Sequence, residues 1–326
     1  FGGVGIVVSM RNNILTVIAP MDGTPGAKAG ILAGDRIIEI EGKSTRGITL
    51  QDAVGKLRGK IGTEVNFTLA RTHGGEVKEV KISVKRAVIQ VKTVRDLAGK
   101  SGYGLLDEKI GYVRLASFGD KTGSEMEKAL QKMEKVGLKG LVLDLRDNPG
   151  GLLDQSVRVA EKFLPKDQLV VSTEGRKKED IDKHHATGSV KVRKYPVVVL
   201  VNGGSASASE IVAGCLQDLK RAELVGEKTF GKGSVQSILP LRNGAALRLT
   251  TAKYYTPSHR VIHEEGIMPD HEVKMAPEVL RDLALQRSPG GMEALPAEDR
   301  ARVVKARDTQ LEKAMELLKA KLAVAE

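Results

Sequence analysis

Two apolar runs, residues 140–145 and 197–201, each end in a turn of glycine and small polar residues that opens directly into an amphipathic stretch. A run this short and this apolar reads as a strand buried in the interior. Around these two the order alternates. A strand at 111–117 precedes a helix at 123–136, the 140–145 strand precedes a helix at 152–164, and the 197–201 strand precedes a helix reaching about residue 220. Strand and helix in alternation point to a layered α/β domain. Residues 174–188 are mostly charged and polar, and read as a surface excursion within it.

The flanks differ. Residues 1–90 read as short strands with one or two helices: strands at 5–9 and 14–19 about a turn at 11–13, a short helix at 26–30, and a strand at 36–40 after Gly34-Asp35. Thr49 caps a helix to Leu57 that carries Leu50, Ala53, Val54 and Leu57 on one face, and strands at 64–71 and 76–85 join across 73–75. Residues 277–326 are helix-rich, with Leu311, Met315, Leu318 and Leu322 in a stripe that suits a bundle arm or a dimer surface. The expectation is three parts: 1–90, 91–276 and a helical extension at 277–326.

With 326 residues, two domains or one domain with appendages is the prior. The net charge of +11 is spread along the chain, and aromatics make up 3%, so base stacking and a nucleic-acid partner are not expected. The lone Cys215 excludes an internal disulfide framework, and on the apolar stripe of its helix it reads as a packed small hydrophobe. The six histidines show no zinc-like spacing, so no metal or other cofactor is expected. No window approaches the roughly 18 apolar residues of a membrane span. Residue 1 is Phe rather than Met, which makes a lost targeting segment, dimerisation arm or membrane anchor an expectation.

Chemistry concentrates in three motifs. Residues 203–210, Gly-Gly-Ser-Ala-Ser-Ala-Ser-Glu, place serines at a helix start, where the dipole favours an oxyanion. Ser207 with Glu210 also matches a capping box, an ordinary way to satisfy helix amides, and the two roles can be divided among the three serines. Residues 230–236, Phe-Gly-Lys-Gly-Ser-Val-Gln, set Lys232 between two glycines with Gln236 four positions on. A free lysine has a pKa of about 10.4, and burial lowers it towards the range of a general base. A carboxamide holds a neutral amine without restoring its charge, whereas a nearby carboxylate would favour the ammonium. The plain alternative is a solvated loop lysine. Residues 146–151, Arg-Asp-Asn-Pro-Gly-Gly, can aim amides at an anion or serve as a strand-to-helix turn.

Taken in order, residues 145–151, 204–210 and 230–236 resemble the motifs of the C-terminal processing peptidases, and the likeness covers nearly the whole chain. That family consists of serine endopeptidases with a PDZ domain joined to a catalytic domain related to the ClpP/crotonase fold. The resemblance implies Ser207 as nucleophile, Lys232 as general base and Gln236 as its orienting partner. It also implies an oxyanion hole from the amides of Ala208 and of Gly150 or Gly151, between which the sequence does not choose. In residues 1–90, Gly3-Val4-Gly5-Ile6 looks like the carboxylate-binding loop of a PDZ domain. The strand after it would offer an edge for β-augmentation, and Leu50, Val54 and Leu57 would form the wall of the side-chain pocket.

The resemblance further implies cleavage of proteins at or near free C-termini, in a bacterial periplasm or other extracytoplasmic compartment, by a chain able to form homo-oligomers. Three other readings stand beside it. One is a catalytically inert PDZ scaffold, another a crotonase-like acyl-thioester enzyme, and the third a Ser-His-Asp hydrolase with His259 or His263 as base.

Overall fold

The computed structural model describes residues 2–325 apart from 22, 74–75, 90–91, 108, 243, 288–291 and 293–294. Contacts divide the chain into two units, one of residues 1–91 with 277–307 and the other of 92–276 with 308–326. The helix-rich end thus divides, its first part falling with residues 1–91 and its last helix with the central region.

In the first unit, alternation along the strands decides which side chains face inward. Strands β1 (Ile6–Arg11), β2 (Ile14–Pro20), β3 (Arg36–Ile40), β4 (Lys43–Ser44), β5 (Glu64–His73) and β6 (Glu76–Lys85) form an antiparallel sheet in the order β1-β2-β3-β5-β6, with β4 on β3. The join between β5 and β6 at Gly74-Gly75 lies outside the described residues. Along β6, Val80, Ile82 and Val84 point in while Lys81 and Lys85 point out, the period of two that a half-buried strand requires. Helix α1 (Pro25–Lys28) is a single turn, and α2 (Leu50–Leu57) starts where the Thr49 hydroxyl accepts the Asp52 amide at 3.1 Å, as the cap predicted. Ala53 and Leu57 of α2 are buried with Leu15, Ile37, Val65, Phe67 and Leu69.

In the same unit, α6 (Pro277–Arg287) and α7 (Ala297–Val304) pack on each other, with Arg302 bonded to Asp282 at 3.1 Å.

The second unit is the layered domain. Strands β7 (Val94–Arg95), β8 (Ile110–Leu115), β9 (Gly140–Asp144), β12 (Val197–Val201), β13 (Ala222–Gly226) and β16 (His271–Glu272) make one sheet in the order β16-β13-β12-β9-β8-β7, parallel except at β7. Every residue of β9 and β12 is buried. Helices α3 (Thr122–Glu134), α4 (Leu153–Ala160) and α5 (Ala208–Asp218) supply the core on one face. On the other, Val142, Val198 and Leu200 meet Ala314 and Leu318 of α8 (Thr309–Ala325). Leu311, Met315 and Leu322 pack at the margin of that second core, so the stripe covers the sheet of its own unit. A parallel sheet buried on both faces needs such a cover.

A second, antiparallel sheet runs β11-β10-β15-β14, from β10 (Leu169–Glu174), β11 (Ile181–His185), β14 (Ser234–Pro240) and β15 (Ala246–Tyr255). Part of the expected excursion at 174–188 is therefore strand β11. Its charges mislead because a strand exposed along most of its length needs no apolar alternation. Among the described residues, no helix is long and apolar enough to cross a membrane.

Candidate active site

Three turns meet at the carboxyl ends of β9 and β12. The first, 146–151, leaves β9; the second, 202–207, leaves β12; the third, 229–233, follows β13. Buried side-chain amides tie the first two. Asn202 Oδ1 accepts the Asp147 and Gly204 amides at 2.9 and 3.0 Å, and Asn202 Nδ2 donates to Asp147 Oδ1 at 2.9 Å. Asn148 Nδ2 donates to the Leu115 carbonyl at 2.8 Å.

The three serines separate. Ser205 and Ser209 are fully buried, and their hydroxyls donate to the Leu145 and Asn148 carbonyls at 2.8 and 2.9 Å. Ser207, half-buried, stands at the N-cap of α5 with φ 55° and ψ −114°. A positive φ in a non-glycine residue is a strained conformation that surrounding structure has to hold. Gly150 lies directly against it: a Cβ there would sit 2.8 Å from Ser207 Cβ and 2.9 Å from Ala208 N. Gly151 faces the other way, where a Cβ would come within 2.2 Å of the Phe118 carbonyl oxygen. The Gly150 amide donates to Asn148 Oδ1 at 2.9 Å. The amides of Gly151 and Ala208 have no hydrogen-bond partner among the described residues.

The third turn reaches the second through Glu210, which is fully buried. Its Oε1 accepts the Thr229 hydroxyl at 2.6 Å and the Gly231 amide at 2.7 Å. Its Oε2 accepts the amides of Ser207 at 2.8 Å and Lys232 at 2.9 Å. Sharing one acceptor, those two amide nitrogens lie within about 6 Å of each other. The capping box was visible in the sequence, but the three bonds to residues 229–232 were not, because nothing in the spacing of Glu210 and Lys232 says that their turns meet.

The side chains of Lys232 and Gln236 are exposed. Gln236 Nε2 donates to Thr250 Oγ1 at 2.6 Å across the β14–β15 pair and to Ser234 Oγ at 3.3 Å along its own strand, and not to Lys232. The structure therefore brings together the backbones of Ser207, Ala208, Gly150 and Lys232, and leaves Gln236 out on the ribbon. His259 is occupied elsewhere, bonded to Glu174 Oε1 at 2.9 Å and stacked on Tyr255. His263 stands with its Nε2 3.9 Å from the Glu264 carboxylate. Burial, with the Asp218 charge, pushes the Cys215 thiol far up, which suits a packed hydrophobe. Among the described residues, no group of three or more His, Cys, Asp or Glu side chains could hold a metal ion.

Behind the site lies an ion cluster that sequence reading missed. Buried Arg146 bonds Asp144 and, through Nη1, reaches Asp308 Oδ1 at 2.9 Å and Gln310 Oε1 at 3.0 Å. Burial opposes ionisation of Asp144, but the charge and hydrogen bonds of Arg146 outweigh it and hold the carboxyl well below the usual range. Asp308 and Gln310 lie at the start of α8, far along the chain, so only an isolated Arg and Asp beside the turn could have hinted at the pairing.

In the first unit, β1 is an edge strand with α2 packed beside it. Gly5, at φ 75°, sits where a Cβ would meet Thr24 at 2.2 Å, and the Thr24 hydroxyl donates to its carbonyl. The Gly3 amide is committed to the Ala87 carbonyl at 2.9 Å, while Val4 is buried and Ile6 half-buried. Of the expected pocket wall, Leu50 is exposed, Val54 half-buried, and Leu57 belongs to the core.

Comparison with known proteins places these features in a family. Residues 109–273 match the model of peptidase family S41, and residues 16–71 that of the PDZ domain. Over 274 residues the chain is 48% identical to the carboxy-terminal-processing protease of Bartonella bacilliformis, covering 83% of this chain and 61% of that one. Over 278 residues it is 41% identical to the carboxyl-terminal-processing protease of a Picosynechococcus species, covering 84% and 65%. The chain thus spans a little under two thirds of the length of these curated relatives.

Among solved structures it is similar to a photosystem II D1 C-terminal processing protease, with a TM-score of 0.50 and 32% identity over 86% of this chain and 73% of that one. A putative S41 protease from Bacteroides fragilis shares the fold at a TM-score of 0.59 and 17% identity, over 98% and 83%. The chain belongs to peptidase family S41 and carries a PDZ domain at its N-terminal end.

Proposed function

We propose that this chain is the working part of a serine endopeptidase that cleaves proteins at or near their C-termini. In this reading the PDZ domain captures the substrate tail, and Ser207 and Lys232 perform the chemistry. The observation that carries it is the shared acceptor: Glu210 Oε2 takes the amides of both residues, so the two motifs converge on one point. A serine with its base, beside free amides at a helix start, is the arrangement acyl transfer needs.

The Ser207 Oγ attacks the scissile carbonyl carbon while the Lys232 amine takes its proton. The oxyanion is received by the amide of Ala208 and, we propose, that of Gly151, since the Gly150 amide is already bonded to Asn148. Collapse breaks the C–N bond, and the lysine passes its proton to the leaving amine. Water then attacks the acyl-enzyme by the same route. An amine acts as base only when uncharged, a form that burial favours. In the arrangement described, the Lys232 side chain is exposed, so substrate lying across the site must cover it before it can serve. Gln236 is placed on the strand that leaves this turn and would orient the amine once it turns inward.

Tail capture would use the edge of β1 and the surface offered by Leu50 and Val54, with the carboxylate received by the loop at Gly3, Val4, Gly5 and Ile6. Because the Gly3 amide is engaged with Ala87, the later amides of that loop carry the contact. The partners are then proteins or peptides with free C-termini. An extracytoplasmic setting belongs to the same proposal, on the likeness to processing proteases. An inert scaffold has no observation in its favour, since both Ser207 and Lys232 are present in the converging turns.

The test is cleavage of an unfolded protein with an apolar free C-terminus by the chain, by Ser207→Ala and by Lys232→Ala. Cleavage by the chain alone is expected. Cleavage that survives either substitution would remove that residue from the mechanism.

A further inference from the structure

In a capping box, the acid at the third helical position returns one hydrogen bond to the amide of the cap. At Glu210 that bond, from Ser207, is one of four. The other three come from the segment ending at Lys232, through the Thr229 hydroxyl and the amides of Gly231 and Lys232. An ionised carboxylate offers about four acceptor positions, and all are filled. None of the four partners is a charged side chain, so the buried charge is held by dipoles alone, with the positive end of α5 behind it.

We propose that Glu210 is a positioning residue of the reaction, setting the backbone of the nucleophile in register with the backbone of its base. This rests on the Ser207–Lys232 reading. Ser207 holds a strained dihedral, and strain of that kind persists only where neighbouring groups over-determine it. The Glu210 bond fixes its amide. The same oxygen fixes the amide of Lys232, so any drift of one turn is transmitted to the other instead of opening a gap between them. Proton transfer tolerates little drift, since a misplacement of about 1 Å can cost on the order of 100-fold in rate. A surface carboxylate could not do this, because water would compete for its lone pairs.

A purely structural role predicts something different. Loss of a fold-stabilising carboxylate lowers the fraction of folded molecules and leaves each folded molecule as competent as before.

The experiment uses the whole chain and counts competent sites by titration to completion with a serine-directed phosphonate. Glu210→Gln keeps the shape but turns one acceptor oxygen into a donor that faces other donors. Its kcat per titrated site is expected to fall about 100-fold, with KM changed by less than about 3-fold, the signature of an interaction needed in the transition state. A kcat per site equal to that of the unsubstituted chain overturns the proposal, whatever happens to Tm.

Should Glu210→Gln fail to fold, Thr229→Val removes one donor and leaves the carboxylate with its three amide bonds. A fall of about 5-fold per site is expected there, the scale of one hydrogen bond, and an unchanged value again overturns the proposal. A chain that neither cleaves nor takes the phosphonate at Ser207 fails before any variant is compared, and that outcome overturns the protease reading itself.

Discussion

At the scale of single residues, three serines of like chemistry stand in unlike settings: Ser205 and Ser209 commit their hydroxyls to buried carbonyls, and Ser207 stands half-buried at the cap of α5. Ser205 Oγ donates to the Leu145 carbonyl and accepts the Asn202 amide at 3.0 Å, joining the ends of β9 and β12. Ser209 Oγ donates to the Asn148 carbonyl. Removing the Ser205 hydroxyl leaves the buried Asn202 amide unpaired, at a cost of about 1–3 kcal/mol, whereas the Asn148 carbonyl that Ser209 bonds keeps the Ala206 amide at 3.0 Å. We predict that Ser205→Ala lowers the urea midpoint and keeps a measurable rate per phosphonate-titrated site. Ser207→Ala should do the reverse, leaving the midpoint nearly unchanged and abolishing cleavage. A Ser205→Ala chain that is stable and inactive would exchange the two assignments.

In the sequence, the three serines, Lys232 and the glycines stood out as local chemical units, and it was the resemblance to the C-terminal processing peptidases that implied Ser207 as nucleophile and Lys232 as base. Which serine is structural was open, since the carbonyls of Leu145 and Asn148 belong to another strand end. The fourfold use of Glu210 was hidden for the same reason.

Between elements, the last helix was only half legible. Its apolar stripe is periodic and was seen, but the surface it covers is formed by strands distant in sequence. Any element of the chain could have supplied that cover. The link that fastens it is Arg146, just after β9, reaching Asp308 before α8, where Asp308 also accepts the Leu311 amide at 3.0 Å. Breaking a buried ion pair by removing one partner costs about 3–5 kcal/mol. Asp308→Ala should therefore destabilise the second unit by roughly 3 kcal/mol or more in urea titration. The control is Arg302→Ala, whose ion pair with Asp282 has an exposed arginine and should lower the urea midpoint far less. Equal losses in the two variants would mean that the buried cluster does not fasten the helix.

The ribbon of β14 and β15 escaped reading altogether. Its strands are exposed along most of their length, so burial imposes no alternation on them. The Asn243-Gly244 dipeptide, a common hairpin signal, was the clue available in the sequence.

For the molecule as a whole, the second unit carries groups that make its stability depend on pH. Among the described residues, the carboxylates held low are Asp107, Glu127, Asp144, Asp218 and Glu223, all in the second unit. At Glu127, burial opposes ionisation but hydrogen bonds from Arg193 and Lys162 outweigh it, bringing the carboxyl down to about 2. A carboxyl with a depressed folded value contributes stability that is complete above its unfolded value, about 4, and is lost as pH falls through the folded one. The acid limb of the second unit should thus run from about pH 4.5 to about 2.

On the alkaline side the groups are acids raised by burial: Cys215, with Asp218 adding to it, and Tyr195, with Glu134 adding to it. For these the folded state keeps its proton longer, so stability is complete below the unfolded values, about 8.5 for Cys and 10 for Tyr, and declines above them. Calorimetry across pH 2 to 10.5 should show the transition of the second unit flat between about pH 5 and 8 and falling on both sides. Cys215→Ala should delay the alkaline decline until the tyrosines titrate. A decline that begins at the same pH with and without the thiol would refute its part, and a second unit whose transition does not fall between about pH 4.5 and 2 would refute the part of its carboxylates.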